Sequence, residues 1–143
     1  MNPTITFYFN EVRFTLRRRK LLKETIENVF KRNNLKVRSV SFIFCTDEFL
    51  LKVNQDYLSH DYYTDIITFD LSNDNAVEGE IYISVDRVKE NARSHNVSFI
   101  LELYRVVFHG ILHLCGLKDK TVIQKKRMRT EEDKCIMQLL NAS

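Results

Sequence analysis

The sequence predicts an α+β fold built around one buried helix. Segments with a hydrophobic period of two and segments with a period of 3.6 are mixed without strict alternation, which argues α+β rather than α/β. The stretch FILELYRVVFHGILHLC (99–115) is apolar round most of a helical circumference, through Leu103, Val106, Val107, Ile111 and Leu114, and this marks a central, largely buried helix. The chain's 143 residues, 44% hydrophobic and 29% charged, suit one soluble globular domain spanning 1–143. Three glycines and one proline leave no room for a flexible linker.

Each element has a local cause. ITFYF (5–9) is a short strand of β-branched and aromatic residues. From Leu16 to Asn33, the residues Leu22, Ile26, Val29 and Phe30 recur at helical spacing, with basic residues outward. VRSVSFIFC (37–45) alternates and sets Val40, Phe42 and Phe44 on one face. Thr46 or Asp47 then caps a helix running to about Tyr57. SHDYY is a turn, DIITFDL (65–71) a strand, SNDNA a loop and EGEIYISV (78–85) a second strand. Asp86 opens a helix to about Ser94. Ser98 caps the central helix, which Gly116 ends in a left-handed C-cap. A last helix runs from about Thr130 to Leu140, with Cys135, Ile136, Leu139 and Leu140 as its apolar stripe.

Net charge is only +3, but it is unevenly placed. Residues 13–38 carry ten Lys/Arg against Glu24 and Glu27, while residues 44–86 carry ten Asp/Glu against Lys52 alone. Residues 118–134 turn basic again, seven against four. Such segregation suits a polyanionic partner on the basic side, although RRRK at 17–20 reads equally well as a solvated helix face. Cys45, Cys115 and Cys135 are odd in number, widely spaced and form no CxxC pair, which suits a reducing compartment. The start has no signal-peptide layout and no apolar run is long enough to span a bilayer, so the expectation is a cytoplasmic protein with no membrane partner.

The chemistry concentrates in HGILHLCGLKDKT (109–121). Residues four apart on a helix lie about 40° round and one turn up, so His109 and His113 can reach one cation. Two histidines at this spacing are a common zinc arrangement; a pair of satisfied core histidines would share it. Gly116 lets the backbone turn and swing Asp119 back toward them, which makes three protein ligands and an open fourth position. Cys115 lies about 200° round from His113 and reads as core packing. His60 and His95 have no local link to the site. Zinc peptidases of the HExxH type place a glutamate base beside the first histidine; here that position is Gly110, which removes the peptidase reading's catalytic group.

The stretch His109–Asp119 resembles the HGxLHLxGxxH signature of the YbeY family, bacterial endoribonucleases of ribosomal RNA maturation. VNQDYLSHDYYTDIITFD (53–70) is similar to the family's LNxxYRxxDxPTDVLSF segment, EGEIYIS (78–84) to its GDIxIS strand, and MRTEED (128–133) to its MxxxEE helix opening. These motifs cover residues 53–133 in the right order. Read without a gap, the family's third metal-binding histidine falls on Asp119. With Lys118 as an insertion it would fall on Lys120, which when protonated would not bind a metal; the ungapped reading supplies a ligand. A second departure is Leu58, where the family has an arginine thought to serve RNA binding or catalysis. Lys118, Lys120 or Arg105 are the nearby cations that would replace it.

The resemblance implies a small mixed β-sheet packed with helices around the central one. It implies a metal-dependent, single-strand-specific endoribonuclease acting in small-subunit ribosomal RNA maturation and ribosome quality control. One Zn2+ per chain would be held by His109, His113 and Asp119. The expected partners are ribosomal RNA and the small ribosomal subunit, with ribosomal proteins and assembly GTPases implied by the family. Arg17, Arg18, Arg19 and Lys120, with KKRMR at 125–129, are the candidate RNA-backbone contacts. No general base is assigned. Leu58 keeps open a competing reading, a non-catalytic, metal-binding ribosome-assembly factor with the same fold; a metal-dependent hydrolase of another substrate ranks third.

Overall fold

The structure, a computed structural model, describes residues 3–142. Its elements run β1 (Thr4–Phe9), α1 (Arg19–Arg32), β2 (Val37–Cys45), α2 (Asp47–Leu58), β3 (Ile66–Asp70), β4 (Val77–Ser84), α3 (Val85–Ser94), α4 (Phe99–Leu114) and α5 (Val122–Asn141). The strands form one mixed sheet in the order β1-β2-β4-β3. β1 and β4 run parallel to β2, and β3 is antiparallel to β4.

Alternation decides which face of the sheet is covered. Ile5, Val40, Phe42, Phe44, Ile81 and Ile83 point to one side and join the main core. There they meet Leu22, Ile26 and Phe30 of α1 and the apolar side of α4. Among the described residues the other side is covered only at the β4–β3 end, where Leu50 and Val53 of α2 pack on Ile67, Cys45, Phe69 and Tyr82. Toward β1 that face bears serines, Thr6 and the exposed Tyr8.

α4 is the expected central helix, buried over most of its length. It lies close on the sheet because Gly110 has no side chain. A Cβ there would come within 3.0 Å of Ile66 Cδ1 and Ile81 Cδ1. The position that carries glutamate in zinc peptidases is thus turned into the sheet and filled by isoleucines. His109, about 100° round the helix from Gly110, is directed past the β3 edge instead.

Two helix starts differ from expectation. α1 begins at Arg19 rather than Leu16, because Arg18 adopts a left-handed conformation (φ 57°, ψ 38°) that cannot continue a right-handed helix. Leu16 remains as a buried anchor before it. α5 begins at Val122 rather than Thr130, set by a capping box in which the Thr121 side chain accepts from Gln124 N and Gln124 reaches back to the Thr121 backbone. Its first two turns carry only the exposed Val122 and Ile123 and a single buried residue, Met128, so hydrophobic periodicity does not reveal them. KKRMR is therefore helical. No single helix among the described residues is long and apolar enough to cross a membrane.

Candidate metal centre

The site is assembled at the C-terminal end of α4. Ser98 caps the helix by accepting from Leu101 N at 3.3 Å. At the other end Gly116, at φ +99°, turns the chain in a Schellman motif: Gly116 N donates to His113 O (2.9 Å) and Leu117 N to Leu112 O (3.0 Å). The reversed chain returns the Leu117 carbonyl to His113, whose Nδ1 donates to it at 2.9 Å. Two residues on, Asp119 reaches the histidine pair.

Glu132 of α5, whose side chain is only 6% exposed, accepts from His109 Nδ1 at 2.6 Å. Both imidazoles therefore carry their proton on Nδ1 and present bare Nε2 lone pairs. Those two nitrogens lie 3.0 Å apart, and Asp119 Oδ2 lies 3.2 Å from His109 Nε2 and 3.5 Å from His113 Nε2. With both rings neutral, three acceptors converge with no donor between them, and a cation at their centre, a metal ion or a proton on Nε2, satisfies them. Ligands about 2.0–2.1 Å from a tetrahedral zinc sit about 3.3 Å from one another, so the spacing fits such an ion. His109, His113 and Asp119 form the only His/Cys/Asp/Glu cluster of metal-ligand spacing among the described residues.

The surroundings of His109 are electronegative and stabilise positive charge there. Burial pushes the His109 pKa down, but the hydrogen bond and charge of Glu132, with Asp119 and Asp65 beyond, outweigh it and leave the pKa raised. Glu132 is in turn held by Arg105 Nη1 at 3.0 Å, while Arg105 Nη2 binds Asp133 at 2.7 Å. Arg105 thereby supports the histidine through Glu132, and it also lines the first of two clefts beside the cluster. Cys115 is half-buried against the core, and burial pushes its thiol up to about 12, far from a thiolate ligand.

Two clefts open beside the cluster, and both are lined by His109, Asp119 and Asp65. The first, about 400 Å3, runs under α5 and is lined by Lys125, Met128 and Arg129, with His95 and Glu102 across from them. The second, about 470 Å3, runs along β3 to the end of α2 and is lined by His113, Leu58, His60 and Tyr62. Leu58 thus does face the site. His60 and His95 line one cleft each, outside the cluster. Lys118 and Lys120 are exposed, and neither lines a cleft. Arg17, Arg18 and Arg19 do not line them either. Arg18 Nη1 donates to Leu140 O at 3.4 Å, and the Arg19 guanidinium lies over the rings of Phe7 and Phe9.

Two residues of the site were not singled out from the sequence. Glu132 lies within MRTEED, but only its place on α5 opposite His109 gives it a role. Asp65 opens the β3 segment; burial raises its carboxyl pKa, opposed chiefly by His109, and Asn91 Nδ2 donates to its Oδ2 at 3.2 Å.

Comparison with known proteins agrees with this geometry. A family model described as "Endoribonuclease YbeY" matches residues 5–140. A protein named "Endoribonuclease YbeY" from Christiangramia forsetii is 48% identical over 129 residues, 90% of each chain. One of the same name from Cytophaga hutchinsonii is 45% identical over 131 residues, covering 91% of this chain and 92% of its own. The solution structure of a Thermotoga maritima protein superposes with a TM-score of 0.66 at 32% identity, covering 94% of this chain and 88% of that one. With the match spanning nearly its whole length and the convergent cluster falling within the HGILHLCGLKD motif, the chain belongs to the YbeY endoribonuclease family.

Proposed function

We propose that this chain is a metal-dependent endoribonuclease that cuts single-stranded RNA, acting in maturation of small-subunit ribosomal RNA and in ribosome quality control. The observation that carries the reading is the triangle of bare acceptors formed by His109, His113 and Asp119 where two solvent-open clefts meet. Those three residues would hold one Zn2+ per chain. When bound, such an ion supplies Lewis-acid stabilisation of charge developing on a phosphoryl oxygen.

The chain's own groups do the rest. Glu132 and the Leu117 carbonyl fix both imidazoles in the ligating tautomer. Lys125 and Arg129, one helical turn apart on α5, hold the RNA backbone in the first cleft; Arg17, Arg18, Arg19 and Lys120 contribute a more distant, sequence-independent attraction. Asp65 is the proton acceptor: Asp119 is occupied as a ligand and Glu132 by His109 and Arg105, whereas Asp65 reaches both clefts with Asn91 alone on one oxygen. The protein works as one cytoplasmic domain. Its partners are ribosomal RNA and the small subunit, with ribosomal proteins and an assembly GTPase alongside.

A second reading, a non-catalytic assembly factor, is favoured by Leu58, which presents an apolar side chain to the second cleft where the family carries arginine. One assay separates the two. Purified protein incubated with single-stranded RNA is expected to cleave it, to stop with chelator, and to lose activity in His113→Ala. Cleavage equal in wild type and His113→Ala would mark a contaminant and leave the non-catalytic reading.

A further inference from the structure

The two clefts differ in chemistry, and the difference divides the substrate between them. The first offers Lys125 and Arg129. Carboxylates line both, Asp65, Glu102, Asp119 and Glu132 in the first and Asp65, Asp70 and Asp119 in the second, but the second has no Lys or Arg in its lining to hold a phosphate track. What it offers instead is a flat surface. His60 and Tyr62 stack with centroids 5.1 Å apart and planes 21° from parallel, joined by a 3.0 Å hydrogen bond between Tyr62 Oη and His60 Nδ1.

This pair is built, not adventitious. α2 ends at Ser59 in a left-handed conformation, and the turn that follows is tied back by buried Asn54. Asn54 Nδ2 donates to Tyr62 O at 2.9 Å, and Asn54 O accepts from His60 N at 3.1 Å. The next residue, Tyr63, is fixed by its hydroxyl to Glu48 (3.0 Å) and by the Arg87 guanidinium 5.4 Å from its ring. Tyr62, by contrast, is 56% exposed on a turn tied to Asn54. An aromatic side chain held out to water beside a metal cluster has one common use in RNA recognition, the stacking of an unpaired base.

We infer that the His60–Tyr62 pair is a base-stacking platform that receives one unpaired nucleobase of the substrate beside the metal centre, while the backbone lies along Lys125 and Arg129. The inference rests on the nuclease reading above and adds the source of its single-strand selectivity. A base inside a duplex has both faces covered by its neighbours and is not available to Tyr62. Contact by stacking also tolerates sequence, because every base has a π face. Neither residue belongs to the ligand cluster, so both serve substrate binding and not the metal.

The chain has no tryptophan, so Tyr62→Trp introduces a single reporter at the platform. In the metal-loaded protein its fluorescence is expected to be quenched by a short single-stranded RNA. The same RNA annealed to its complement, or carrying abasic sites, should leave it unquenched. In parallel, Tyr62→Ala and His60→Ala should weaken binding of that RNA about five- to a hundred-fold, appearing in KM with kcat kept, whereas Tyr62→Phe stays near wild type. The salt dependence of binding should keep its slope in all three, since no phosphate contact is lost. Unchanged affinity in Tyr62→Ala with metal content intact would overturn the platform, as would equal quenching by the abasic strand. A wild-type protein that neither binds nor cuts RNA would instead bring down the nuclease reading, and the platform with it.

Discussion

Glu132→Gln tests how the metal centre is held. The carboxylate accepts a 2.6 Å hydrogen bond from His109 Nδ1 and a second bond from Arg105, in a place where its side chain is 6% exposed. Glutamine keeps the shape and one acceptor oxygen but removes the charge. A charge-assisted hydrogen bond contributes about 1.5–3 kcal/mol, roughly twice a neutral one, so the change removes about half of what holds the ring and strengthens its donor lone pair. The expected loss is about tenfold in zinc affinity, about 1.4 kcal/mol, with Glu132→Ala nearer a hundredfold because the ring is then free to turn. Arg105 keeps Asp133, which limits collateral loss of stability. Competition against a chromophoric chelator measures the affinity. The same bond sets a pH dependence of the metal-free protein. Because the folded pKa of His109 is raised, the ion pair contributes fully below about pH 6.5 and is lost as pH rises through the raised value. Glu132→Gln should flatten that slope in thermal unfolding. Zinc affinity within twofold of wild type would refute the orienting role.

Other expectations follow from the same geometry. Asp119→His should keep or tighten metal binding, whereas Asp119→Ala should weaken it substantially, as elemental analysis after dialysis would show; full retention in Asp119→Ala would move the third ligand elsewhere. Lys125→Ala with Arg129→Ala should lower RNA affinity for all sequences alike and reduce the salt slope by about one per removed contact, measured by binding titrations at several salt concentrations. Asp65→Asn should leave the metal content unchanged and lower kcat by about a hundredfold or more, read by RNA cleavage at saturating substrate. Gly116→Ala should cost about 1–2 kcal/mol in chemical denaturation, from the left-handed backbone alone, since a Cβ there meets no atom within 4 Å.

Much of the architecture was legible because it depends on local periodicity. The alternation of Val40, Phe42 and Phe44 and the apolar circumference of α4 each express burial directly, and the structure buries them. Likewise the convergence of His109, His113 and Asp119 follows from helical spacing plus one glycine turn, both of which are local. What stayed hidden depends on neighbours far apart in the chain. Nothing near residue 132 says that its carboxylate meets His109, twenty-three residues away across the α4–α5 packing. The first turns of α5 were illegible for another reason, since a cationic surface helix carries no hydrophobic period and only its cap marks its start. That helix start has a functional consequence. Had α5 begun at Thr130, Lys125 would sit in a loop. As a helix, it sets Lys125 and Arg129 on one face above the cluster, and Arg105 below them is spent on Glu132 and Asp133. The cleft that Leu58 lines therefore holds no Lys or Arg, and the cations beside the cluster stand on its other side; on the proposed reading, the phosphate backbone lies on that other side and the base on the Leu58 side.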